Sequence, residues 1–133
     1  MALSMTKTVA VVLALTFAAL VPPGATAQPL LESSNPMSGN AEAIVEGQKL
    51  YLTNCVGCHG IKTDGKTRWP AADLRVFNKG YSRFLGIVSD GRSGPLGSMP
   101  SWSKVLSKPQ ISAIGAYIEQ YALPDKAVWK DHQ

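Results

Sequence analysis

Cys55-Val56-Gly57-Cys58-His59 is the stretch of this chain whose residue types and spacing can do chemistry. Two thiols separated by two residues, followed at once by an imidazole, form the attachment pattern of a c-type haem. One turn of chain brings the thiols to two vinyl groups on one porphyrin edge, where they become thioethers. The next side chain, His59, then turns its ring towards the iron. Other chemistries also use paired cysteines. A thioredoxin-like redox pair follows a strand in a βαβ unit, and no such pattern precedes Cys55. Zinc needs four ligands, but the chain has only two cysteines and two histidines, and His132 lies one residue from its end. A disulfide between Cys55 and Cys58 would close a minute loop and leave His59 without a role. A chance match of five residues is the last competing reading.

A second iron ligand is then required from elsewhere. The chain has four methionines. Met1 and Met5 lie at the extreme N-terminus and Met37 precedes the thiols. Met99 alone comes after them, in the stretch Gly94-Pro95-Leu96-Gly97-Ser98-Met99-Pro100. A thioether is a soft ligand that favours ferrous iron, so a His59/Met99 pair raises the reduction potential. The competing reading of Met99 is a flexible core filler. Pro95 and Pro100 stiffen the loop and favour ligation. His132 would instead give a bis-histidine iron of lower potential, from a free chain end. If neither binds, the iron is five-coordinate and open to gas or peroxide chemistry. The other ring nitrogen of His59 needs an acceptor. Pro70 is placed in sequence to offer a rigidly held carbonyl, with an ordinary loop proline as the alternative.

These residues need elements to position them. The 133 residues are enough for one small domain. Lys7, an apolar run from Thr8 to Val21, the break Pro22-Pro23-Gly24 and the small residues Ala25-Thr26-Ala27 read as a secretory signal peptide over residues 1–27, cut after Ala27. The apolar run is short of the roughly 20 residues that span a bilayer, which argues against a retained anchor. Residues 28–39 are polar and turn-rich and read as a flexible leader. The net charge of +4 falls to +3 without Lys7, and the basic residues are scattered, so no nucleic-acid partner is implied.

A domain over residues 40–122 reads as helical. Asn40 caps a first helix reaching about Asn54, with Ile44, Gly47, Leu50 and Tyr51 on one face. Gly47 in mid-helix costs up to about 1 kcal/mol against alanine and points to a close helix–helix approach. Residues 61–72 read as a loop, and 73–77 as irregular or a short helix. Tyr81, Phe84, Leu85 and Val88 form the apolar stripe of another helix, ending at Asp90-Gly91. The last helix starts either with Ser107 as cap and Gln110 closing a capping box, or with Lys108 as cap and Pro109 at the first helical position. Ile111, Ile114, Gly115 and Ile118 form its buried stripe, and Leu123-Pro124 ends it. Residues 123–133 are a short tail. No strand signal persists beyond a few residues.

Gly47 and Tyr51 before Cys55, Ile114-Gly115-Ala116-Tyr117 in the last helix, Pro70 and Met99-Pro100 together resemble the class I monohaem cytochromes c. The resemblance covers residues 41–122. It implies an all-α fold of three to four helices around one covalently bound haem c, held by Cys55 and Cys58 with His59 and Met99 as axial ligands. It also implies that the Pro70 carbonyl orients His59, that haem is attached outside the cytoplasmic membrane, and that one haem edge is exposed near Cys55 and Cys58. The Gly65-Lys66 turn, Phe84-Leu85 and the tail Asp125-Lys126-Ala127-Val128-Trp129 are similar to the cytochromes that serve methanol dehydrogenase. The family usually has Gly-Pro where this chain has Trp69-Pro70, and its C-terminal extension is longer.

The expected function is that of a monomeric periplasmic single-electron carrier and not an enzyme, because two axial ligands leave the iron no position for substrate. Its expected donor is a quinoprotein alcohol dehydrogenase and its acceptor a terminal oxidase. A general shuttle between respiratory complexes is the second reading. A haem sensor or peroxidase-like enzyme with an open iron is the third. Lys62, Lys66, Lys79, Arg92 and Lys104 are candidates to steer an acidic partner.

Overall fold

Helix α1 (Ala41–Asn54) starts where its sequence says, because the Asn40 side chain accepts from the Ala43 N–H and satisfies one of the open donors of the first turn. The computed structural model describes residues 34–68, 71–94, 97–124, 127, 129 and 130. The signal peptide expected over residues 1–27, together with Pro70, Pro95 and His132, lies outside them. After α1 the described chain forms the single-turn α2 (Val56–His59), a 3-10 turn (Leu74–Val76), α3 (Tyr81–Asp90), a hairpin of β1 (Arg92–Gly94) and β2 (Gly97–Met99), and α4 (Lys108–Glu119).

The fold is organised by α1 crossing α4. Gly47 is the point of contact, and a β-carbon there would overlap the backbone of Ala113 and Ile114. A side chain of any size would hold the helices apart, so the sequence expectation for Gly47 has a direct structural cause. Tyr51, one turn further along, is fully buried. Its ring meets Tyr117 of α4 at 5.3 Å between centroids.

Helix α4 is buried on every face from Ile111 to Ile118, rather than along one stripe. Packing surrounds it: α1 on one side, α3 on another, and the segment before α1 on a third. The choice of cap is settled by hydrogen bonds. The Ser107 hydroxyl accepts from Gln110 N–H at 3.4 Å, and the Gln110 side chain accepts from Ser107 N–H at 2.9 Å. Pro109 therefore stands at the second helical position and not the first. Burial of Ser112 is tolerated because its hydroxyl bonds Lys108 O and shares a 2.6 Å contact with the Tyr81 hydroxyl. The helix ends at Glu119, earlier than Leu123-Pro124.

Three further parts add to the sequence expectation. Residues 34–39 of the leader form turns held on α4. Asn35 is buried, and its amide donates to Ser112 O and to the Glu119 carboxylate. The Ser38 hydroxyl donates to the same carboxylate. The tail also packs: Trp129 meets Phe84 at 5.0 Å and Phe77 at 5.3 Å between centroids. Finally, the loop before Met99 contains an antiparallel pair in the register Arg92–Met99, Ser93–Ser98, Gly94–Gly97. Strands of three residues rich in glycine and serine carry no alternating apolar pattern, so periodicity misses them. Among the described residues no helix is long and apolar enough to cross a membrane.

Candidate haem-binding site

The thiols and His59 sit on one continuous stretch of chain at the end of α1. Cys55 N–H still donates to Tyr51 O, as a residue of α1 would. Cys55 O then accepts from the N–H groups of Cys58 and His59, at 3.2 and 3.0 Å, and this starts the single turn of α2. The turn puts Cys55 and Cys58 close in sequence and in space, with neither thiol in a disulfide. Cys58 is exposed and Cys55 half-buried. Burial, with the Cys58 thiol adding to it, pushes the Cys55 thiol up to about 11. Cys55 therefore stays a neutral thiol near neutral pH.

The loop after α2 closes on the carbonyls that a helix end leaves open. Gly65 N–H donates to His59 O at 2.9 Å, and Arg68 N–H to Cys58 O at 3.3 Å. The Tyr51 hydroxyl donates to Gly60 O at 2.7 Å. Burial of that phenol raises its pKa and keeps it a donor. The chain then returns, with Leu74 N–H on Thr63 O at 2.8 Å.

That return brings the Ala72 carbonyl to Nδ1 of His59 at 2.9 Å. A carbonyl only accepts, so Nδ1 donates its N–H, and in the neutral ring the lone pair is then on Nε2. The expected partner, Pro70, lies outside the described residues; the carbonyl found on His59 is that of the residue two positions later. A backbone group has no side-chain identity, so no sequence signal could have singled out Ala72. Asp73 and Arg75 keep the Ala72 segment in place. The Asp73 side chain accepts from Arg75 N–H and pairs with the Arg75 guanidinium at 2.7 Å. That hydrogen-bonded guanidinium holds the Asp73 carboxyl below its ordinary value.

Met99 ends β2, opposite Arg92. It is half-buried and packs against the apolar core, as do Cys55, Val56, Leu85 and Trp102. Glycine at position 91 is required by the close approach of Met99. Its φ of +78° and ψ of 178° lie in a region open essentially to glycine alone. A β-carbon there would lie 2.7 Å from Met99 O and 2.8 Å from Ser101 N.

These residues fit a c-type haem. The thiols are unbonded, the His59 ring is fixed with Nε2 free to ligate, and a fringe of apolar side chains is left only partly covered by protein. Among the described residues no group of three or more His, Cys, Asp or Glu side chains converges to hold a metal ion. The indole N–H of Trp129 and the hydroxyl of Thr63 are buried without a partner among the described residues.

Comparison with known proteins agrees. Residues 42–118 match the family model described as cytochrome c oxidase, cbb3-type, subunit III. A cbb3-type cytochrome c oxidase subunit CcoP of Helicobacter pylori is 35% identical over 94 residues, covering 65% of this chain and 31% of the relative. Cytochrome c6 of Tetradesmus obliquus is 29% identical over 85 residues, covering 60% of this chain and 92% of the relative. The chain thus spans about a third or less of the oxidase subunits it matches. Among solved structures, cytochrome cL of the marine methylotrophic bacterium Methylophaga aminisulfidivorans superposes with a TM-score of 0.56 at 23% identity, covering 81% of this chain and 73% of that one. At that identity the shared property is the fold.

Proposed function

The chain belongs to the cytochrome c family described as cytochrome c oxidase, cbb3-type, subunit III, and from that premise we propose that it is a periplasmic single-electron carrier with one haem c bound through Cys55 and Cys58. The observation that carries this reading is the His59 ring. It comes directly after the two thiols, and a 2.9 Å hydrogen bond from Nδ1 to Ala72 O leaves Nε2 free. The haem, when bound, supplies a one-electron ferric–ferrous couple. His59 and Met99 would ligate its iron, and the thioether of Met99 would favour the ferrous state. Two such ligands would leave the iron no position for substrate, which suits an electron carrier and not an enzyme.

In this reading a partner docks beside the attachment turn. Gly57, Cys58 and Ile61 are exposed beside the attachment turn, and Ile61 retains 64% of its surface. Lys62, Lys66, Lys79, Arg92 and Lys104 are exposed as well. Exposed apolar surface at the attachment turn and exposed positive charge on the same chain suit an acidic partner and a salt-dependent encounter.

The donor in this reading is a periplasmic quinoprotein alcohol dehydrogenase. Support comes from the tail similar to methanol-dehydrogenase cytochromes, whose Trp129 is part of the packed core fringe. A second reading, a general shuttle serving a terminal oxidase, is favoured by the oxidase-subunit family match and the CcoP relative. Stopped-flow reduction of the ferric protein by the co-expressed dehydrogenase, at low and high salt, separates them. Fast reduction that slows with salt is expected. Slow reduction at both salts, with rapid oxidation by a terminal oxidase, moves the assignment to the shuttle.

A further inference from the structure

We propose that Gly91 and Ser101 are positioning residues for the Met99 thioether, acting through a clamp between the methionine hairpin and the open end of α3. The inference rests on the reading of Met99 as an axial ligand. A helix leaves its last carbonyls without intrahelical partners. Here those of α3 are taken up by the chain just after Met99. Trp102 N–H donates to Val88 O at 3.0 Å, and Ser103 N–H to Ser89 O at 3.2 Å. The Ser101 hydroxyl adds a second bond to Ser89 O at 2.6 Å. The ligand loop is therefore the C-terminal cap of α3.

Gly91 closes the clamp from the other side. Its missing side chain leaves room for the backbone of Met99, Pro100 and Ser101, all within 2.7–2.9 Å of where a β-carbon would stand. None of those atoms belongs to a flexible side chain that could swing aside. Met99 is thus held by β-ladder pairing with Arg92 on its own residue and by the α3 carbonyls within four residues after it. This matters because methionine is a long, unbranched side chain with three rotatable bonds, and its thioether is uncharged. Fixing the backbone on both sides lowers the cost of holding the sulfur at one point. The contacts of Gly91 are with the backbone of residues 99–101, and those of the Ser101 hydroxyl are with Ser89 O and the Ser103 hydroxyl, so their effect on the site runs through Met99.

The test uses the haem-loaded protein and imidazole as a competitor for the sixth position. Loss of the weak near-red charge-transfer band of the ferric state reads displacement of Met99. Ser101→Ala should raise the apparent imidazole affinity about fivefold, the scale of one hydrogen bond, and Ser101→Thr should restore it. Gly91→Ala should raise it further; if that variant does not fold, the serine pair decides alone. Ser38→Ala, which removes a hydrogen bond to Glu119 at the other end of α4, controls for general loosening and should leave the affinity unchanged. An affinity within twofold of wild type in Ser101→Ala, or an equal rise in Ser38→Ala, overturns the clamp while leaving ligation intact. A wild-type protein without the band, with an unchanged spectrum in Met99→Ala, overturns the ligand reading and the clamp with it.

Discussion

A β-carbon on Gly47 would lie 1.9 Å from the carbonyl oxygen of Ala113. Helices α1 and α4 therefore meet backbone to backbone. Ordinary van der Waals contact starts near 3.4 Å, so Gly47→Ala must force the helices apart and separate Tyr51 from Tyr117. Overpacking costs about 1–3 kcal/mol, and this contact belongs at the upper end because no flexible side chain can yield. A fall in Tm of about 10–20 °C is expected in a domain of this size. A fall of only a few degrees in a thermal melt would show that the helices slide past one another freely.

On the proposed His59/Met99 ligation, Met99→Ala removes the soft ligand. The ferric near-red band should vanish and carbon monoxide should bind the reduced protein rapidly. The potential should drop by on the order of 0.1 V or more, a fraction of the roughly 0.8 V over which axial ligands set it. Voltammetry and carbon monoxide titration check both. Rapid carbon monoxide binding to the unmodified protein would contradict the carrier function.

Replacing both thiols tests attachment. Wild-type protein should keep its haem through a denaturing gel, and Cys55→Ala with Cys58→Ala should lose it. The single variant Cys58→Ala should keep the haem through Cys55 alone, with a pyridine haemochrome band shifted to the red. Retention of haem by the double variant through the gel would mean that the haem is covalently attached elsewhere and would contradict thioether attachment at Cys55 and Cys58.

Thr63 combines a φ of +55° with a fully buried hydroxyl that has no partner among the described residues. A buried unsatisfied hydroxyl costs about 1–3 kcal/mol. Valine has the same shape and branching, so the backbone strain cancels in Thr63→Val and the hydroxyl alone is removed. The variant should be more stable by about 1 kcal/mol in denaturant unfolding. A loss of stability would reveal that the hydroxyl is bonded in the loaded protein.

Alkaline pH should weaken the fold through its tyrosines. Burial pushes the Tyr117 phenol up to about 12, and the Tyr121 hydroxyl adds to the rise. Burial raises Tyr51 as well. A group whose pKa is higher in the folded state binds its proton more tightly there. Its contribution is whole below the unfolded pKa of about 10 and is lost as pH rises towards about 12. The denaturant midpoint should fall across that window, and Tyr117→Phe should flatten the fall. An unchanged slope in Tyr117→Phe would assign the loss to other groups.

Much of the fold and the site was legible in the residues alone, because it depends on neighbours within a turn or two of chain. Asn40 and Ser107 announce helix starts, since a capping oxygen need reach only the next few N–H groups. Cys55, Cys58 and His59 announce a candidate haem-attachment turn because one turn of backbone sets their spacing. Gly47 announces a close approach because a mid-helix glycine is otherwise a cost. Met99 stands out by type and place as a candidate ligand, with no other methionine after the thiols.

The rest depended on partners distant in sequence. The carbonyl on His59 belongs to Ala72 because the loop returns there, and every residue offers the same carbonyl. Asn35 looks like a leader residue, yet the bare surface over Gly115 and the Glu119 carboxylate give its amide a buried place. Trp129 reads as tail until Phe77 and Phe84 form a surface for it. Gly91 reads as an ordinary helix stop until the Met99 backbone is found against it. Local chemistry is written in residue identity, whereas contacts between distant segments form only when helices cross and backbones meet, and that is where the position of Met99 was decided.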